Sequence, residues 1–253
     1  MLRTRVIPCL LLENAQLVKT IKFKDPTYIG DPVNAIKIYN EKEVDELIFL
    51  DITATVRNSK LAYKIIRDIA DECFMPLTYG GGIQTIEDIR KILSIGVEKV
   101  AINTYAIENP LFVKQATEAF GSQSIVVSID AKRTRDGKYE VYTHGARKRT
   151  GKFATEVARL MEEQGAGELL LNSIDNDGTM EGYDLELIKE VSSSVNIPVI
   201  ACGGAGTIED FGLAVNKVGA SAVAAGSLFV FHGRNRSVLI SFPTQEELSR
   251  VLV

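Results

Sequence analysis

Short apolar or β-branched runs recur along the chain: RVIPCLL near residue 5, ELIFLDI at 46, PLTYGG at 76, KVAIN at 99, SIVVSID at 124, ELLLNSI at 168, PVIACGG at 198 and AVAAGSL at 222. Each has the length and boundary residues of a strand. Between most of them lie stretches such as SKLAYKIIRDIADEC and TIEDIRKILSIGV, whose apolar residues fall three and four apart as on one face of a helix. Strand and helix in alternation imply parallel pairing, and strands apolar on both faces imply cover on both sides. Eight such units predict an α/β fold closed as a single (β/α)8 TIM barrel; a doubly wound open sheet is the alternative.

The chain also matches itself. YGGGIQTIEDIRKILSIGVEKVAINT at 79 resembles ACGGAGTIEDFGLAVNKVGASAVAAG at 201, with Gly81 standing 122 residues before Gly203. Two half-barrels of about 1–121 and 122–253 follow. The same alignment, slipping slightly, sets Leu11 against Asp130, both at the carboxyl end of a strand, where barrel enzymes place their chemistry. Two segments interrupt the alternation. Residues 13–31 read as a long polar loop, rich in lysine and aromatics and suited to be a lid. Residues 132–150 centre on Asp136-Gly137 between β-like flanks and read as a hairpin after the fifth strand.

A chain of 253 residues with 45% hydrophobic content buries a full core. Its net charge of −4 supplies no basic field, so nucleic acid is not an expected partner. Cys9, Cys73 and Cys202 show no paired spacing, and His144 and His232 lie far apart, so neither a disulfide framework nor a metal site is expected and no cofactor is implied. No apolar run reaches membrane-span length. The opening MLRTRVIPCLLLEN reads as a first strand of a cytoplasmic protein, not a leader.

Candidate chemistry gathers at the strand ends. Gly81 and Gly82, with Asn103 and Thr104, offer amides and a hydroxyl to a phosphate; the second half repeats this with Gly203, Gly204, Gly226 and Ser227, joined by Gly178 and Thr179 beside Asp177. Glycines that merely permit tight turns are the plainer explanation of any one site. Two facing cradles imply an elongated ligand with a phosphate at each end. Asp130, Asp175 and Asp177 supply carboxylates at the same rim, able to act as acid or base or to hold loop amides. Lys19 in the lid is a candidate contact for an anionic substrate or a solvated lysine. At the opposite end Arg5, Glu46, Lys99 and Glu168 begin four strands; they form either a salt-bridged plug or a gate for a small neutral molecule.

With IPCL, GDPV, DELIFLDIT, GGGI, EKVAINT, FGSQSIVVSIDAKR, YEVYTHG, DGTMEGYDLEL, NIPVIACGGAG and the final AGS, the sequence resembles the cyclase subunit family of imidazole glycerol phosphate synthase over nearly its whole length. The resemblance implies a duplicated barrel paired at its amino-terminal face with a glutaminase that feeds ammonia through the floor. It makes Arg5, Glu46, Lys99 and Glu168 the gate, and gives the phosphates to Gly82, Asn103, Thr104, Gly178, Gly204 and Ser227. It also makes Asp130 a catalytic carboxylate, with Asp177 contributing and Lys19 retained. No nucleophile elbow for releasing ammonia from glutamine is present, so a partner must supply it.

Three departures stand out. The family places an aspartate where this chain has Leu11; the lid reads KFKDPTYIGDPV instead of a glycine-rich form; and the tail HGRNRSVLISFPTQEEL adds Arg234 and Arg236. These resemble a paralogous branch in surface-polysaccharide and sialic-acid-like sugar pathways, where barrel and glutaminase supply ammonia to a separate sugar amidotransferase that forms an acetamidino group. The expected function is therefore an ammonia-accepting synthase subunit serving sugar amidation, on a phosphorylated or nucleotide-linked substrate. The alternatives are the histidine-pathway cyclase itself, with Asp177 or Glu13 in place of the missing aspartate, and a non-catalytic scaffold for a glutaminase.

Overall fold

The computed structural model describes residues 3–57, 59–233 and 235–252. Eight parallel strands close on themselves: β1 (Arg5–Glu13), β2 (Leu47–Asp51), β3 (Leu77–Gly80), β4 (Lys99–Ile102), β5 (Ile125–Arg133), β6 (Glu168–Ser173), β7 (Val199–Cys202) and β8 (Ala222–Ala225). Pairing of β5 with β6, Asp130 opposite Asn172, and of β8 with β1, Ala222 opposite Arg5, leaves no free edge in the ring. The (β/α)8 barrel expected from the eight runs is the fold, and every run supplies its strand.

Closure turns alternate residues of each strand inward, and the interior is layered accordingly. Arg5, Glu46, Lys99 and Glu168 form the lowest layer. Two residues on, Ile7, Ile48, Ala101 and Leu170 join Val126, Ile200, Ala222 and Ala224 in a buried apolar cluster that also takes in Cys9 and Cys202. Above it Ser128, Asp130, Asn103, Asn172 and Leu11 line an open chamber at the carboxyl ends of the strands. The other strand faces pack against the helices in the larger core, with Phe49, Tyr79, Leu171 and Val223 among its members.

The repeated TIED has a physical meaning. In the first copy Thr85 caps the helix Ile86–Ser94: its side chain accepts from the Asp88 N–H, and Asp88 accepts from the Thr85 N–H at 3.0 Å. In the second, Asp210 accepts from the Gly206 and Thr207 N–H groups at 2.9 Å. Each side-chain cap satisfies helix-start donors and contributes about 1 kcal/mol.

The stretch 13–31 is not a loop. It is a β-ribbon, Gln16–Ile21 antiparallel to the end of β1 and Lys24–Gly30 antiparallel to Gln16–Ile21. Its turns fall at Asn14-Ala15 and Lys22-Phe23, four residues with positive φ, the backbone of a two-residue hairpin turn. The hairpin after β5 is present as expected: Thr134 and Lys138 flank Asp136-Gly137, and the strand Tyr139–Thr143 returns along β5. A further strand, Lys148–Phe153, extends it. No helix among the described residues is long and apolar enough to cross a membrane.

Candidate active site

The chamber has a volume of about 1210 Å³ and lies over the carboxyl ends of the strands. A much smaller cavity, about 30 Å³, is set beside it under the ends of β7 and β8. Leu11, Asn172 and Asp177 line both. Leu11 thus lines the same space as Asp130.

Asp130 lies one residue before the end of the buried part of β5 with 8% of its surface exposed, and its side-chain hydrogen bond is a long one, 3.5 Å from Ser128 Oγ. Burial, with the negative charge of Asp177 added, pushes its carboxyl up to about 7. It is therefore divided between acid and base near neutral pH, the state best suited to moving a proton in either direction.

Asp177, in the loop after β6, also has a raised pKa because it is desolvated, although Lys19, Thr20 and the Phe23 N–H all favour its charged form. Its carboxylate accepts from Thr20 Oγ1 at 3.0 Å, and its carbonyl accepts from the Lys22 N–H at 2.8 Å. Asp177 thereby fastens the ribbon's second turn to the rim. Lys19 is buried, and its Nζ donates to the Cys9 carbonyl at 2.7 Å. A β-carbon on Gly226 would lie 1.7 Å from that Nζ and 2.9 Å from the Cys9 carbonyl, so the missing side chain at 226 is what lets the lysine lie there.

The first cradle holds Gly81, Gly82, Asn103 and Thr104 on the chamber wall. Its groups already engage one another and their neighbours: Gly82 N–H donates to Thr55 Oγ1 at 3.2 Å, Asn103 Nδ2 to the Ser128 carbonyl at 2.9 Å, and the His144 N–H to Thr104 Oγ1 at 3.0 Å. The second cradle brings Gly178, Gly203, Gly204, Gly226 and Ser227 around the smaller cavity. Gly178 has φ +71°, and a β-carbon there would meet the Thr20 carbonyl at 2.0 Å, so ribbon and cradle touch through backbone. Thr179 stands apart. Its N–H and hydroxyl both go to the Asn176 carbonyl, at 3.1 and 2.8 Å, and it lines neither cavity. From the tail, Arg236 donates to the Gly178 and Thr179 carbonyls and lies 5.5 Å over the Phe231 ring. Arg234 falls outside the described residues.

At the floor the four charges form a closed ring. Lys99 Nζ reaches Glu46 at 3.0 Å and Glu168 at 3.2 Å, and Arg5 pairs with Glu46 at 2.5 Å and with Glu168. Thr78 Oγ1 donates to Glu46 at 2.8 Å. Glu46 and Glu168 are buried; the two cations are partly open to solvent below.

Asn172 was missed in the sequence. It faces Asp130 across the β5–β6 pairing, 8% exposed, and its Oδ1 has no hydrogen-bond partner. The signal was present in ELLLNS: Glu168 begins the inward set, and counting by twos reaches Leu170 and then Asn172. His144 is a second such residue, brought to the chamber wall by the hairpin.

Comparison with known proteins places the chain. The model of the histidine biosynthesis protein family matches residues 5–235. A Pseudomonas aeruginosa protein named "Putative imidazole glycerol phosphate synthase subunit hisF2" is 52% identical over 248 residues, 98% of this chain and 99% of that one. The chain belongs to the imidazole glycerol phosphate synthase cyclase-subunit family. Other members of that family include a Leptospira interrogans protein of similar name, 47% identical over 98% of both chains, and the imidazole glycerol phosphate synthase subunit HisF of Alkaliphilus metalliredigens, 45% identical over 92% of both. In this cyclase-family barrel the rim and floor described above occupy the two ends of one interior. Among the described residues no cluster of histidine, cysteine and carboxylate side chains suited to a metal ion occurs.

Proposed function

We propose that this chain is the ammonia-accepting barrel subunit of an imidazole glycerol phosphate synthase-type glutamine amidotransferase. The observation that carries this reading is the stacking, inside one cyclase-family barrel, of an ion-paired floor, an apolar layer and a chamber in which Asp130 titrates near neutral pH. In this reading a glutaminase docks at the amino-terminal face and releases ammonia, which enters between Arg5, Glu46, Lys99 and Glu168. The two glycine cradles hold the phosphates of an elongated substrate across the chamber. Lys19 and Asp177 position the second of them, and Asp130 moves the proton that the entering nitrogen must lose.

Leu11 favours a second reading of the same site. A leucine transfers no proton, and loss of a positioned acid or base removes a factor of roughly 10² to 10⁴. A barrel so altered suits delivery of ammonia to a different acceptor, an N-acetyl sugar whose amide becomes an acetamidino group with the help of a separate amidotransferase.

The test is nitrogen transfer. Copurified with its cognate glutaminase and given amide-15N glutamine with the histidine-pathway substrate, the complex is expected to yield 15N-labelled imidazole product. Inactivation of the glutaminase is expected to abolish glutamine-supported but not ammonium-supported turnover. Label appearing only in an acetamidino sugar, when the acceptor and its amidotransferase are added, would select the second reading. Phosphate-ester binding and glutaminase association without any transfer would reduce the chain to a scaffold and refute both.

A further inference from the structure

We infer that Arg236 is a positioning residue for the second glycine cradle, holding its Gly178 edge through backbone carbonyls. This rests on the phosphate-binding reading above and adds a residue to it. Arg236 Nη2 donates to the Gly178 carbonyl and, at 3.3 Å, to that of Thr179; among the described residues nothing else donates to either. The held segment is strained. Gly178 has φ +71° and Met180 φ +63°, a region that residues with a β-carbon rarely adopt and that lasts only where neighbours enforce it. Asp177 is fixed from one side by the ribbon, through Thr20 Oγ1 and the Lys22 N–H. Met180 is packed from another, where a β-carbon on Gly206 would lie 2.1 Å from its carbonyl. Between them the N–H and hydroxyl of Thr179 bond only within the loop, to Asn176, so Arg236 is the outside grip on residues 178 and 179. Each peptide unit is planar, so fixing those carbonyls fixes the backbone that Gly178 presents to the small cavity.

The other end of this contact is equally well anchored. Arg236 closes a short hairpin, Phe231–His232 against Ser237–Val238, its own N–H donating to the Gly233 carbonyl at 3.1 Å. Its guanidinium lies over the Phe231 ring of that hairpin, which limits the orientations open to it. The hairpin is docked in turn: the Leu239 N–H donates to the Val230 carbonyl at 2.8 Å and the Ser241 N–H to the Phe229 carbonyl at 2.9 Å. Phe229 and Val230 belong to the short helix Ser227–Val230, which starts at the cradle's own serine. One strap therefore joins the Ser227 side of the cradle, after β8, to the Gly178 side, after β6, across the exit of β7 where Gly203 and Gly204 stand. Arg236 lines neither cavity, so it acts on a bound anion through the loop and not by contact.

Hydrogen exchange of the full chain, followed by mass spectrometry while inorganic phosphate is titrated in, reads the two cradles separately through peptides covering Gly81–Gly82 and Gly203–Gly204. Arg236→Ala is expected to raise the phosphate concentration for half-protection at the second cradle about tenfold, the worth of one hydrogen bond, and to leave the first within about twofold. Arg236→Lys keeps a cationic donor of similar reach and is expected to stay within about threefold of wild type at both. Equal weakening of both cradles with a lower Tm would mark a general loss of structure, and Arg236→Lys as weak as Arg236→Ala would sever the effect from the donor; either result overturns the inference. So does a second cradle unchanged in Arg236→Ala, which leaves the phosphate reading intact. Wild type showing no phosphate protection at the second cradle overturns both.

Discussion

Replacing Asp130 with asparagine is expected to stabilise the protein in a strongly pH-dependent way while abolishing its chemistry. The carboxyl sits at about 7 in the folded chain against an ordinary 3.8, because it is desolvated and lies near the charge of Asp177. Between those values the native state holds a proton that the unfolded chain has released, so stability falls as pH rises through the window and levels off above it. The interval is about three units, and at about 1.4 kcal/mol per unit the full penalty is roughly 4 kcal/mol, of which about 3 kcal/mol accrues between pH 5 and 8. Asparagine has the same shape and no charge. Urea unfolding of wild type and Asp130→Asn at pH 5 and pH 8 isolates the effect, because the other titrating groups are common to both proteins. The variant is expected to gain about 3 kcal/mol relative to wild type between the two conditions. The same variant should lose a factor of 10² or more in ammonium-supported turnover. Parallel pH dependences for the two proteins would refute the reasoning, since a carboxyl that ionises freely in the folded state carries no such penalty.

Other perturbations follow from the geometry. Glu46→Ala leaves the partly exposed Arg5 and Lys99 with Glu168 alone and deprives buried Thr78 Oγ1 of its acceptor, and is expected to cost about 2 kcal/mol, read by denaturant unfolding. If the ring also gates ammonia, this variant lowers glutamine-supported turnover more than ammonium-supported turnover. Gly226→Ala forces Lys19 away from the Cys9 carbonyl; a stability loss of about 1 to 3 kcal/mol and weaker binding of inorganic phosphate by calorimetry are expected.

Much of this architecture is legible in the sequence because barrel strands are buried on both faces and read as unbroken apolar runs. The floor was legible for a related reason: Arg5, Glu46, Lys99 and Glu168 are charges at the edge of such runs, where only partners make burial tolerable. The ribbon over residues 13–31 was not. Its turns place Asn14, Ala15, Lys22 and Phe23 at positive φ, a conformation usually announced by glycine, and the expected Asn-Gly or Asp-Gly signal is absent. The hairpin after β5 carries that signal at Asp136-Gly137 and was found. Asn172 escaped because one amide in ELLLNS looks ordinary until barrel closure fixes which residues point inward. That Thr179 spends its polar groups on Asn176 was hidden for a similar reason, since the DGT triplet does not disclose its own turn bonds.

In the proposed reading the cradles, Lys19, Asp130 and Asp177 serve one chemistry at the rim, and Leu11, which lines the same chamber, occupies the place of a second proton-transfer group. The most direct measurement of this is ammonium-supported cyclisation of the histidine-pathway substrate by wild type beside Leu11→Asp. Wild type is expected to turn over far below the roughly 10 s⁻¹ common among enzymes, and the variant about 10²-fold faster or more. Wild type already running at that ordinary rate, with no gain from the new carboxylate, would contradict the account.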